Sequence, residues 1–542
     1  LFRFIFLLCF ITLPFFLQAQ KTNGQPPEPS EQGSEEKVTL ERAESLEKDK
    51  NMPNVKKLMR QVVVKHKGSV LYCDSAYLHE DRNAVDTFGN ARMISDNGAV
   101  LTADSMFYDG NTQRARALGN VVFRDLETTL YTKSLDYDLV TGIAYYTQGG
   151  KIVDAEKTLE SKQGNYDTNS KIFRFQNNVV LNSKQEERKI ETNDLTYNTI
   201  SKLAFFQGKT KITTKDGKIY TENGTFNTET QISNFKGRTR VEDEQYTIEA
   251  DTLYFDKKNE IGYAQRNVVL INRKDSLTAF GDNAWFRGKE GESKVYGNAL
   301  AYQVSKAGKD SLWIKADTLY AINRKIDSTR QFLAYHNVLI YRHDFQAKCD
   351  SLAYNKADST LRFFKKPILW AKGTQLSADT LWLQMDKNQL KTLYMRLHSF
   401  MITEDTLKNY NQIKGKNITS HFKESSPRRV EVRGNGESIY FALEKDTVLV
   451  GMNRSQCSGD INIDFGNKNQ LKRITQIKAV EGSFVPPHEL KPAETKLQDF
   501  MWFYDDKPKR TDMVRNAPKK KATKIENNTN KEAIKTLKKG RQ

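Results

Sequence analysis

The chain has 542 residues, long for one compact domain, yet only 38% of them are hydrophobic and the mean hydropathy is −0.68. That excludes a thick conventional core, while 11% aromatic residues exclude a disordered polymer. An ordered but thin architecture satisfies both, and a net charge of +18 would suit an anionic partner.

Residues 1–19, LFRFIFLLCFITLPFFLQA, carry one Arg, an apolar run and a Leu-Gln-Ala ending. This pattern predicts a cleaved signal peptide with cleavage after Ala19, and so export to the periplasm or the exterior. A membrane anchor is the alternative, although the run contains Pro14 and is barely long enough to span a bilayer. Residues 20–52, with QPPEPSEQGSEE, read as a flexible polar leader.

From residue 53 a phrase repeats: ADSMFYD at 103–109, ADTLYFD at 250–256, ADTLY at 316–320 and ADTLW at 378–382. Its Asp position falls at Asp74, Asp104, Lys133, Lys162, Asn193, Glu222, Asp251, Asp282, Asp317, Asp350 and Asp379. Successive spacings are 30, 29, 29, 31, 29, 29, 31, 35, 33 and 29. A second phrase, as in Gly119-Asn120-Val121 and Gly297-Asn298-Ala299, keeps the same beat. Self-similarity at this period defines a stacked array over 53–400.

Within each copy, Leu and an aromatic follow the Asp by two and four residues. The period of two makes these strands with one buried face. The inward positions include Leu135, Tyr137, Leu195, Tyr197, Leu253, Phe255, Leu352, Tyr354 and Leu381. Each unit then holds two strands joined by turns such as Asp109-Gly110-Asn111-Thr112, and the mid-strand Gly-Asn marks a bulge or sharp bend. Stacked bent strands would form two opposed sheets around a narrow apolar slot. Of 12 prolines only Pro367 lies between residues 54 and 426, where it takes the Asn place of the second phrase.

Alternation persists over 401–485, read as continuing or capping β-structure. Residues 486–505, PPHELKPAETKLQDFMWFYD, read as a docking segment with a short helix, and 506–542 as a disordered basic tail with 13 Lys/Arg against 4 Asp/Glu.

No chemistry-bearing cluster emerges. Seven His are scattered without metal spacing, Cys73, Cys349 and Cys457 form no framework, and no nucleotide or nucleophile motif is present. The repeated Asp is replaced in four units, so a turn or strand-end role outweighs catalysis. No cofactor or metal is expected, and the export signal argues against nucleic acid.

The ordered recurrence of A-D-x-L-x-Y-D and G-N-V, clearest in ADSMFYDGNTQRARALGNVVF at 103–123, resembles the OstA/LptA family, in particular the long OstA-like proteins of Bacteroidetes. The resemblance implies an all-β, elongated β-jellyroll or β-taco. It also implies a non-enzymatic lipopolysaccharide transport protein that holds lipid A acyl chains in an apolar groove and supports outer-membrane assembly. The implied partners are lipopolysaccharide itself, other lipopolysaccharide-transport jellyroll proteins or the outer-membrane translocon, with edge-to-edge self-association also open. The nine inward residues named above become groove candidates, with ordinary core filling as the plainer role. Lys211 and Arg240, at outward positions near the rim, become candidates for lipid A phosphates. The chain has many more repeats than the short bridge protein of that family. A structural or adhesive surface β-solenoid without lipid cargo is the competing reading. A polysaccharide-acting enzyme on the same scaffold would need an acidic cluster on one face.

Overall fold

A computed structural model describes residues 37–49, 52–125, 128–153, 157–183, 187–304, 311–324, 330–386, 389–423, 426–445, 447–466 and 471–515. The signal peptide expected at 1–19 lies outside the described residues.

Almost every described residue up to Val485 belongs to an antiparallel strand or the turn that follows it. Consecutive strands pair as a meander: Met52–His66 with Ser69–His79, then Ala84–Ile94, Val100–Asp109 and Arg114–Asp125, and so on to Tyr410–Lys423. One repeat is two strands, as the alternation requires. The hairpin turns are closed by the last residue of the phrase. Asp109 Oδ1 accepts from the amides of Asn111 and Thr112 at 2.9 and 3.2 Å, and Asp256 Oδ1 accepts from Asn259 at 3.0 Å.

Each strand pair breaks register once, midway. Phe88 faces Ser105 and Ala91 faces Ala103, so Gly89-Asn90 oppose Asp104 alone. Both bulge residues are left-handed, with φ of 75° at Gly89 and 45° at Asn90, and the same pair of angles recurs at Gly119-Asn120 and Gly297-Asn298. A Cβ on Gly119 would sit 2.3 Å from Asp104 Oδ2, so the glycine also makes room for the repeated carboxylate. That carboxylate is therefore in mid-strand, and the turn or strand-end role expected of it belongs to the Asp five residues later. Across the bulge, Asn90 Nδ2 donates to Asp74 Oδ2 at 2.9 Å, Asn120 to Asp104 at 3.0 Å, Asn267 to Asp251 at 2.8 Å, Asn298 to Asp282 at 3.0 Å and Asn337 to Asp317 at 3.0 Å. The two repeating phrases are thus the two halves of one hydrogen-bonded rung. Near the single mid-array proline, Lys365 and Lys366 take the left-handed angles and Pro367 comes one residue later, because a proline ring holds φ negative.

The bulges line up and fold one continuous sheet along a line, giving two arms that face each other. One arm contributes Leu101, Ile190, Ile248 and Ile314 to the interior; the other contributes Met106, Leu195, Leu253 and Leu319. Large and small residues alternate across neighbouring strands of the second arm: Tyr137 faces Ala144, Tyr197 faces Ala204, and Phe255 faces Gly262. A Cβ on Gly262 would lie 1.9 Å from the Phe286 ring.

Strands begin at Thr39, inside the segment expected to be a flexible leader; Val38 and Leu40 pack on the core and Thr39–Arg42 pairs with Met52–His66. Strands continue through 401–485, where the two arms end on separate short edges, Leu471–Gln476 and Val480–Val485. Residues 486–515 form no α-helix. They make short 3-10 turns and run back as a strap over the outer face of the first arm.

The strap is fixed by two buried glutamines. Gln412 donates to Thr495 O and accepts from Leu497 N, both at 2.8 Å; Gln375 donates to Met501 O at 2.8 Å and accepts from Phe503 N at 2.7 Å. Ile402 and Ile439, on the same outward row, are almost wholly buried beneath it. The strap continues through Arg510, 3.6 Å over the Trp313 ring, to an Arg515–Asp282 ion pair. Residues 506–515 of the expected disordered tail are therefore docked, and 516–542 lie outside the described residues.

Two outcomes test this packing. Replacing Gln412 with Leu removes both strap bonds at about 1–3 kcal/mol for the unsatisfied backbone groups. Limited proteolysis should then cut 486–515 much faster while the sheet stays resistant; unchanged cutting would refute the clamp. Gly262→Ala should cost about 1–3 kcal/mol by overpacking, read as a lower urea midpoint, and Phe286→Ala in the same chain should recover most of it.

Candidate functional site

The interior is filled along the bend and differs along the array toward its mouth. Between residues 38 and 183 both inward rows are buried, and polar groups join the two arms at the rim. Tyr166 Oη donates to Asp125 Oδ2 at 2.6 Å and Lys171 Nζ reaches the same carboxylate at 2.6 Å. Burial and that neighbouring carboxylate push the Tyr166 hydroxyl far above its ordinary pKa. His66 Nδ1 contacts Tyr108 Oη at 2.7 Å, and Asn97 donates to Tyr137 Oη at 3.0 Å and to Thr168 Oγ1 at 3.1 Å. Lys157 Nζ, 5.8 Å over the Tyr197 ring, and Arg188, 4.0 Å over the Phe226 ring, are further contacts between the arms.

From Tyr246–Asp256 to Phe345–Asn355 the picture changes. Residues at the bend stay buried: Ala250, Val268, Ala299 and Ala316 on one arm, Leu253, Ala284, Val295 and Leu319 on the other. Several inward residues farther out are only partly buried. They are Ile248, Leu270, Leu277 and Ile314 on the first arm and Phe255, Phe286, Phe332 and Tyr354 on the second, while Ala301 and Ile340 at the same depth stay buried. Ile248, Leu270, Leu277, Ile314 and Phe332 pack against the core cluster. The interior of this stretch is thus filled at the bend and less completely covered toward its outer edge.

The sequence-predicted residues divide accordingly. Leu135, Tyr137, Leu195, Leu253, Leu352 and Leu381 are core, each at 5% exposure or less, while Tyr197, Phe255 and Tyr354 stand half-buried in the outer inward row. All nine lie on the second arm. The facing residues Ile248, Leu270 and Ile314 were missed, although the alternation Ile248-x-Ala250 just before the phrase carries their signal. Lys211 and Arg240 are on the outer surface of the first arm, two residues or so beyond the bend, and both face Tyr220 from adjacent strands. The sheet separates them from the slot. Each is engaged by carboxylates: Lys211 with Glu191 at 3.8 Å, Arg240 with Glu242 at 2.7 Å and Glu249 at 3.9 Å.

Cys73, Cys349 and Cys457 are free and buried, and burial pushes the Cys73 and Cys349 thiols up to about 12, which makes them poor nucleophiles. Among the described residues no group of three or more His, Cys, Asp and Glu could hold a metal ion. One rung is acid-sensitive. Asp350 is held down to about 2 by hydrogen bonds from Ser351, Lys365 and His336.

Residues 35–189 and 184–251 match a family described as OstA-like protein. Among solved structures, a similar one is LptH, the LptA-homologous periplasmic component of the conserved lipopolysaccharide transport device from Pseudomonas aeruginosa. The two are 17% identical over 26% of this chain and 84% of that one, at a TM-score of 0.15, too low to support an argument. No curated protein matches. The matched part of the repeat region, residues 35–251, is thus similar to OstA-like proteins at a general level.

A pH test follows from Asp350. A lowered folded-state pKa adds stability that is present above the ordinary 3.8 and is lost as pH falls toward about 2. Thermal melts of the wild type should lose stability over that window more steeply than those of Asp350→Asn; parallel curves would remove the rung from the account.

Proposed function

We propose that the protein is a periplasmic carrier or bridge for lipopolysaccharide, holding lipid A acyl chains between the two arms on their way to the outer membrane. The observation that carries this is the inward row between residues 246 and 355, whose large apolar side chains are only partly buried. Burial of acyl chains there gives affinity without direction, so a lipid can slide from one repeat to the next. Six of the nine groove candidates act as the floor that keeps the slot from collapsing, and Tyr197, Phe255 and Tyr354 would touch the chains. Lys211 and Arg240 would meet only phosphates that lie on the outer surface.

The array ends in exposed edge strands, with Leu471, Ile474, Val480 and Phe484 roughly half in water. Such edges invite pairing with another transport jellyroll, the outer-membrane translocon or a second copy. The filled interior between residues 38 and 183 favours the competing reading, a structural solenoid, for that section.

A photoreactive residue placed at Phe255 or Tyr354 should capture lipopolysaccharide in cells, and one at Leu71, buried in the closed section, should not. Absence of capture at both mouth positions, or equal capture at Leu71, would sink the carrier reading.

A further inference from the structure

The Asp–Asn rungs along the bend are interrupted between Asn120 and Asp251, where Lys133, Lys162, Asn193 and Glu222 take the place of the Asp. Asp251 and Asn267 are partners 16 residues apart, and the corresponding partners earlier in the array are Asn193 with Lys209 and Glu222 with Arg238. Neither of these pairs is hydrogen-bonded. Arg238 turns instead to Glu249 at 2.6 Å and to Asn267 O at 2.6 Å. Where the rungs fail, a cleft of about 680 Å³ opens over the bend, bordered by Asn178, Glu191, Asn193, Lys209, Tyr220 and Glu222. Beneath it the ordinary Ala and Val of the bend become Thr192, Thr210 and Thr221, whose hydroxyls pair with one another or with Thr239.

The border is chemically mixed. Asn178 and Asn193 offer both donors and acceptors, Lys209 only donors, Glu191 and Glu222 only acceptors. Tyr220 adds an exposed aromatic face. Lys211 and Arg238 also line the cleft, but each is paired with a carboxylate, Lys211 with Glu191 at 3.8 Å and Arg238 with Glu249 at 2.6 Å. That leaves Lys209 and Glu222 to balance each other, which disfavours a polyphosphate, and the polar border disfavours an acyl chain. Alternating hydroxyl donors and acceptors around a ring with an apolar C–H face complement this set. We propose that the cleft is a saccharide site that takes pyranose units of a neutral oligosaccharide, stacked on Tyr220 and hydrogen-bonded by Asn193, Lys209 and Glu222. It lies on the outside of the sheet and needs no lipid in the slot.

Saturation-transfer NMR and calorimetry on the full chain test it, with maltohexaose and with delipidated, dephosphorylated lipopolysaccharide oligosaccharide as probes. At least one should bind, and inorganic pyrophosphate should not displace it. Tyr220→Ala should weaken binding roughly tenfold, the scale of one lost ring contact. The decisive variant is Asn193→Asp with Lys209→Asn, which rebuilds a rung from exposed residues. It should abolish saccharide binding with the melting temperature kept or raised, and leave capture of lipopolysaccharide at Phe255 intact. Binding of neither probe, full binding by the rebuilt-rung variant, or displacement by pyrophosphate would overturn the proposal. Loss of capture at Phe255 with saccharide binding retained would instead count against the carrier reading alone.

Discussion

Everything in this architecture depends on a break in the backbone ladder that is made good by side chains. Two successive left-handed residues cost about 1–2 kcal/mol each for anything but Gly or Asn. Asn tolerates the conformation, and its amide then reaches the Asp of the preceding strand, a hydrogen bond to a charged acceptor worth about 1.5–3 kcal/mol. The rung therefore offsets the strain that produces the bend. It also adds a side-chain bond between such a strand and the one before it at the level where the ladder changes register. Where the rung is missing, at Asn193 and Glu222, the register still breaks at the same level, so the rung reinforces a bend that the bulge itself makes.

Given that hinge, the width of the interior is set by what happens at the rim. The bend rows are small or medium throughout, so the arms always meet there. Farther out, the closed section spends polar groups on joining the arms: Asp125 with Tyr166 and Lys171, and the 95–98 turn with Tyr137 and Thr168. The central section has large apolar residues at those levels and leaves them only partly buried. A few rim residues per unit thus set how completely the interior is covered. A partly exposed apolar row is costly to an isolated chain, which is the physical reason to look for an occupant.

The parts of this that were legible in the sequence are the periodic ones. Period thirty defined the array, period two defined the inward face, and the Gly-Asn phrase marked the bend. The partner of the repeated Asp was hidden, because the Asn that bonds it is 16 residues away in another phrase and nothing in either phrase announces the pairing. Leu253 and Phe255 looked equivalent by parity, yet one is floor and the other mouth; depth in a bent sheet is a tertiary quantity. The leader was misread because Val38 and Leu40 are only two apolar residues in an acidic stretch, and they become structural through the edge they cover. The strap was invisible beyond its docking character. Its anchors are glutamine side chains 83 to 128 residues away, which no local pattern encodes.

The strap also makes the two arms mechanically unlike. It lies along the outer face of the first arm only, tied to the strands around Arg454, Gln412, Gln375, Lys315 and Asp282 in turn. Those strands cannot twist or slide without breaking backbone bonds to a common splint. The second arm has only its own ladder. Main-chain bonds cross the bulge line as well, as from Lys162 N to Asn177 O at 3.0 Å and from Asp379 N to Leu397 O at 3.0 Å, so both arms are tied along the bend by backbone and by rungs. The strap therefore stiffens the first arm beyond what the shared bend gives to both, and the second arm, which carries Phe255, Phe286 and Tyr354, has no such splint among the described residues.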